Sequence, residues 1–183
     1  VSAEGGKDII NLTNSGYMSG YPHFALDGNA ILFTTERYGM RAHASWGSLN
    51  DAMLVFLNQD AYDKYCLSKE DYELRKELEK EQKKSAGKDT PQGKNKDKKK
   101  KYDKKDSNAD EKDDQPKDIV VELKGIEDRV VRLTPNSSDM GSTIISKDGE
   151  TLYYLAAFEG GYDLWKMNLR KKETKLLHKM DAG

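Results

Sequence analysis

The sequence predicts an all-β fold interrupted by one long charged insertion, and three observations carry that expectation. First, a pattern occurs twice. Leu12-Thr13 is followed, fourteen residues after the Thr, by Asp27-Gly28 and then by Ala30-Ile31-Leu32-Phe33-Thr34-Thr35; Leu133-Thr134 is followed at the same spacing by Asp148-Gly149 and Thr151-Leu152-Tyr153-Tyr154-Leu155-Ala156. Second, the apolar runs are short, β-branched or aromatic, and bounded by turn residues. Third, an insertion of about 60 residues interrupts the first copy, and from Ser85 to Lys117 it holds almost nothing apolar.

Each copy reads as a short strand (Pro22 to Ala25, or Ser142 to Ser146), an Asp-Gly turn and a longer strand. Asp-Gly supplies the positive φ that a two-residue hairpin turn demands. The second copy continues through Glu159-Gly160-Gly161 into Tyr162 to Leu169, where Tyr162, Leu164, Lys166 and Asn168 alternate with Asp163, Trp165, Met167 and Leu169. A further strand, Thr174 to Lys179, follows the charged turn Arg170-Lys171-Lys172-Glu173. Four antiparallel strands in about 40 residues is the make-up of one propeller blade, so the fold expected is a partial β-propeller of about two blades.

The first copy is broken after Asp51 to Leu57, and strand-like alternation returns only at Asp118 to Leu123 and Arg129 to Leu133. The division expected is a first blade portion over 1–57, an insertion over 58–117, and the rest of the first blade with the second over 118–183. Within the insertion, Ser68-Lys69-Glu70-Asp71 resembles a capping box, and Leu74 and Leu78 sit at i, i+4, which predicts a helix over about 69–84. From Ser85 to Lys117, with Gly87, Pro91 and Gly93 as breakers, no core can form, and disorder is expected.

Composition excludes several function classes. The formal net charge of −1 gives no field to steer an anionic partner. The lysines from Lys98 to Lys105 are offset by Asp97, Asp103, Asp106, Asp110, Asp113 and Asp114, so a solvated spacer is preferred there to nucleic-acid association. Cys66 is the single cysteine, which rules out an intrachain disulfide and Cys-x-x-Cys sites. No run reaches the length of a membrane span. With neither an initiator Met nor an apolar leader at Val1, the chain reads as an interior fragment or a processed product. Asn11-Leu12-Thr13 and Asn136-Ser137-Ser138 match glycosylation sequons, a short and common pattern.

No catalytic motif is present: there is no Gly-x-Ser-x-Gly elbow, phosphate loop or His-Glu-x-x-His helix, and His23, His43 and His178 lack metal-ligand spacing. Neither cofactor nor metal is expected. Asp27 and Asp148 are explained by turn geometry, and Tyr153, Tyr154, Phe158, Tyr162 and Trp165 by packing. The substrate-binding candidates are Arg37, Tyr38, Arg41 and Trp46, beside His43, in a loop that would otherwise be small and polar. Such a loop can hold a carboxylate, including a peptide C-terminus, in bidentate contacts; the preferred alternative is an Arg stacked on Trp46 or Tyr38 that pins the loop.

The Leu-Thr, Asp-Gly, strand, Asp163-Leu164-Trp165-Lys166-Met167 pattern resembles the propeller repeats of TolB and tricorn-type proteins. Their usual Ser-Pro-Asp-Gly-Lys core stands here as Ala25-Leu26-Asp27-Gly28-Asn29 and Ser146-Lys147-Asp148-Gly149-Glu150, both without the proline. Gly125-Ile126-Glu127-Asp128-Arg129-Val130-Val131-Arg132-Leu133-Thr134 is similar to the stretch joining propeller strands in bacterial tricorn-like serine peptidases. Arg37-Tyr38-Gly39-Met40-Arg41 and Ser45-Trp46-Gly47-Ser48 look like the Bacteroidetes members. The resemblance implies a periplasmic parent peptidase with further propeller blades, a PDZ domain and a separate serine-bearing domain, none of whose catalytic positions has a match here. The role implied for this segment is to recognise or gate a peptide or protein substrate. The alternative is a stand-alone, TolB-like binding propeller. Two blades alone leave open sheet edges, so homo-oligomers or strand exchange are also expected of this chain by itself.

Overall fold

The computed structural model describes residues 9–41, 47–86, 118–158 and 160–182. These form two compact units, residues 1–69 with 119–183, and residues 70–118. Of the second unit, the described part is the main body of helix α2 (Lys69–Ala86), whose Arg75 and Glu79 pair at 3.3 Å. The stretch expected to be disordered lies, apart from Ser85 and Ala86, outside the described residues.

The first unit holds two open four-stranded antiparallel sheets. Sheet 1 is β1 (Ser19–Ala25), β2 (Ala30–Thr35), β3 (Asp51–Phe56) and β4 (Val130–Arg132); sheet 2 is β5 (Asp139–Ile145), β6 (Thr151–Ala157), β7 (Tyr162–Asn168) and β8 (Glu173–Ala182). In both, spatial order follows chain order. Residues 57–129 separate β3 from β4, although the two strands are paired neighbours.

The ladders of the two sheets repeat residue for residue. Ala30 pairs with Phe56 and Thr151 with Asn168, and the Leu57 and Leu169 amides close the two ladders on the Asn29 and Glu150 carbonyls at 2.9 and 2.8 Å. In this register Ile31 corresponds to Leu152, Phe33 to Tyr154, Val55 to Met167 and Asp51 to Asp163. Because side chains alternate across a strand, the register also fixes which faces correspond.

One core is shared by the sheets. Ala30, Leu32, Ala52, Leu54 and Phe56 pack with Leu152, Tyr154, Ala156, Met167 and Leu169. The sheet 1 residues on the opposite face, Phe33, Met53 and Val55, form a second cluster with Leu57 and Ile126, flanked by Leu12. Sheet 2 therefore turns towards sheet 1 the face that corresponds to sheet 1's far face. Opposite faces of equivalent repeats meet, a head-to-tail contact rather than a two-fold one.

Several expectations are corrected. The Asp-Gly turns are longer than two residues: 26–29 and 146–150 connect the strands, with Leu26 and Asp27 in left-handed conformations before Gly28 (φ 83°). In the second turn the Asp148 carboxylate accepts from the Ser146 hydroxyl and the Glu150 amide (3.0 Å), an Asx-type closure that a two-residue turn lacks. Residues 118–123 form no strand, because Val130–Arg132 occupies the ladder position beside β3; Ile119, Val120, Val121 and Leu123 stay exposed.

A helix absent from the sequence reading, α1 (Gln59–Cys66), follows β3. The Asn58 side chain caps it, accepting from the Ala61 amide at 2.9 Å. Tyr62 and Tyr65 pack on Phe56, with ring centroids 5.7 and 5.1 Å away. At its other end the Arg170 guanidinium, from the β7–β8 turn, donates to the Lys64 and Leu67 carbonyls at 3.4 and 3.1 Å. A cation is favoured there by the helix dipole, and this one ties sheet 2 to the helix that follows sheet 1.

Candidate functional site

The first strand of each sheet lies at an edge and carries a bulge. In β1 it falls between Gly20 and His23, and in β5 between Met140 and Thr143. Pro22, which cannot donate to a ladder, is tolerated because it sits on such an edge. Tyr21 takes the left-handed conformation (φ 53°) and is 82% exposed, an arrangement that costs roughly 1–3 kcal/mol for a non-glycine residue. At the other bulge a side chain on Gly141 would press on Leu155, its Cβ 3.2 Å from the leucine's.

Between the bulges lies a cavity of about 450 Å³ lined by Tyr21, His23, Met140, Gly141, Ser142, Thr143 and Tyr162. The His23 Nδ1 lies 3.2 Å from the Tyr21 carbonyl. A carbonyl only accepts, so Nδ1 is the donor in this contact. Tyr162 donates to Asp139, and that carboxylate, with burial, raises the phenol pKa. The wall thus offers hydroxyls, an imidazole and two phenol rings, with no charged side chain. No hydrogen bond joins Ser142 to His23, and among the described residues no group of three His, Cys, Asp or Glu is placed to hold a metal.

The Tyr162 proton has a measurable consequence. A raised folded-state pKa contributes stability that is fully present below the unfolded value of about 10 and is lost as pH rises through the folded value. Tyr162→Phe should remove one phenol from the part of an alkaline absorbance titration above pH 10; an unchanged late phase would place that proton elsewhere.

Of the four residues expected to bind substrate, Arg37, Tyr38 and Arg41 are described, and Arg41 lines a hollow that Arg37 and Tyr38 do not. Arg37 lies over the Tyr38 ring (5.5 Å from its centroid), and Arg132 also lies over it at 5.1 Å. Arg41 bridges to Ser48 and lines a separate hollow of about 220 Å³ with Glu36 and Tyr17. Trp46 and His43 lie outside the described residues.

Sequence reasoning missed the polar centre beneath Tyr38. Asp51, fully buried, accepts at Oδ1 from Arg132 (3.0 and 2.8 Å) and Thr134 (2.8 Å) and at Oδ2 from Ser137 (2.7 Å). The Thr134 hydroxyl in turn accepts from the Ala52 amide at 3.2 Å. The repeated Leu-Thr motif was visible, but the carboxylate it serves was not, since Asp51 and Thr134 are separated by the insertion.

No family model matches the chain, nor does any curated protein or solved structure.

Proposed function

We propose that this chain is a pair of consecutive blades from a β-propeller of the tricorn type, a non-catalytic part of a larger, periplasmic serine peptidase. Its role is to recognise or gate peptide substrates. The observation that carries this reading is the packing of opposite, register-equivalent faces of the two sheets. A head-to-tail contact of that kind generates a ring when its rotation closes, which is how propeller blades are related. A two-fold sandwich would bring equivalent faces together instead.

The edge cleft fits the same role. In a propeller the first strand of each blade borders the central channel, and here those strands are β1 and β5, with the cleft between their bulges. Bulges and Pro22 protect both edges against strand addition, which leaves side chains to contact a passing peptide.

Benzoylphenylalanine at Tyr21 should cross-link an unfolded peptide well above the same probe at Lys80 on α2, and the chain should leave that peptide uncut. Equal labelling at the two positions would remove the cleft from the proposal, and cleavage by the chain itself would overturn its non-catalytic part.

A further inference from the structure

Outside the core and the cleft, two apolar strips are left open to water. One is β8, at the edge of sheet 2 and paired only with β7; along it Leu176, Leu177 and Met180 are 41–45% exposed. The other is Ile119, Val120, Val121 and Leu123, 45–59% exposed, in the chain that returns from the insertion. Runs of large apolar residues left in water mark contact surfaces, whereas single ones do not.

The two strips carry charges in opposite order. Glu173, Lys175 and Lys179 lie along β8, and Asp118, Glu122 and Lys124 along the returning segment, all of them exposed. Laid antiparallel, with Val120 opposite Leu177, the strips set Asp118 against Lys179, Glu122 against Lys175 and Lys124 against Glu173. All three pairs attract. The parallel alignment sets Asp118 against Glu173 and Lys124 against Lys179, which repel. Each strip also rejects its own kind: β8 on β8, centred on Leu177, opposes Lys175 to Lys179, and the segment on itself, centred on Val120, opposes Asp118 to Glu122. Like charges placed directly opposite are destabilising.

We infer that a second copy of this chain covers β8 with its segment 118–124. Within one chain the strips do not cover each other: Ile119 lies against Gly28 and the Glu122 amide is bonded to the Leu57 carbonyl at 2.7 Å, and both strips stay exposed. The contact is made by side chains, not by a shared ladder. β8 is out of register with β7 beside Leu164, as β1 and β5 are with their partners at the bulges, and such an edge is a poor template for another strand. Lysine and glutamate side chains span diagonal neighbours about 7–8 Å apart, so the irregularity displaces the Lys179 pair without parting it. Where each copy both gives and receives, the contact closes as a two-fold dimer. This association goes beyond the peptide-recognition reading and does not depend on it.

Sedimentation velocity of the whole chain tests it, from about 10 to about 500 μM because strips of this size belong to the weak class of interface. The dimer fraction should rise with concentration. Lys175→Glu with Lys179→Glu makes β8 acidic. Asp118→Lys with Val120→Lys makes the segment basic and leaves Glu122 on the Gln59 amide. Each double variant alone should self-associate at least about 10-fold more weakly, with its thermal transition intact. An equal mixture of the two restores opposite charge at both contacts and should associate as the unaltered chain does. A chain monomeric at every concentration, self-association unchanged in either variant, or a mixture no stronger than its components would each overturn the inference.

Discussion

Asp51→Ala is expected to cost about 3–5 kcal/mol of folding stability, the usual loss when one partner of a buried ion pair is removed. The carboxylate is fully buried and takes four hydrogen bonds, from Arg132, Thr134 and Ser137. Without it the guanidinium, itself only partly exposed, is left facing an apolar void, and the Thr134 and Ser137 hydroxyls lose their acceptor. Denaturation in urea measures the change: with a typical slope of about 2 kcal/mol per molar, the midpoint falls by roughly 2 M.

The internal repeat supplies a control at the corresponding position of sheet 2. Asp163 accepts from the Met180 and Asp181 amides at 2.7 and 3.0 Å, and these bonds hold its carboxyl below the ordinary Asp value. A depressed pKa contributes stability that is present above the unfolded value and lost as pH falls through the folded one. Solvent reaches this group, so Asp163→Ala should fray the end of β8 while leaving the main transition nearly unmoved. Equal losses in the two variants would mean that Asp51 serves as a turn fastener and not as the centre of a buried network.

The contrast marks how far the sequence could be read. Alternation in Thr151 to Ala156 and in Tyr162 to Leu169 set out sheet 2, because local hydrophobic period and turn residues carry that information. The β3–β4 pairing was accessible only through the repeat, since Met53 and Arg132 are distant in the chain. The exposed run Ile119-Val120-Val121 misled for a physical reason: β-branched residues fit a strand, but the position beside β3 was taken. Nothing local distinguishes an Asp that caps a turn from one that anchors a core, and so Asp51 drew no notice. The cleft is harder still, for its two walls come from strands in different sheets and its shape from two bulges.

Arg129→Met is expected to cost about 3 kcal/mol and to loosen the roots of the insertion first. Arg129 is 3% exposed, and its guanidinium donates to the carbonyls of Phe56 (3.2 Å), Lys124 (3.1 Å) and Glu122. Phe56 ends β3, while Glu122 and Lys124 belong to the returning chain. Beside this clamp the Glu122 amide donates to the Leu57 carbonyl at 2.7 Å, and the Glu122 carboxylate accepts from the Gln59 amide at 2.9 Å. The three-carbonyl clamp thus joins the end of β3 to the chain where it returns to the sheet. The loss stays below the sum for three charged hydrogen bonds, because methionine also removes the desolvation penalty of a buried guanidinium. Hydrogen exchange should quicken at Leu57, Glu122 and Val130 before it does in β6 or β7, and protease should cut within 118–125. Arg129→Lys should rescue little, since one ammonium cannot span carbonyls held apart in a fork. Full stability in the lysine variant would mean that only charge is needed there and that the clamp geometry does not hold the insertion to the sheet.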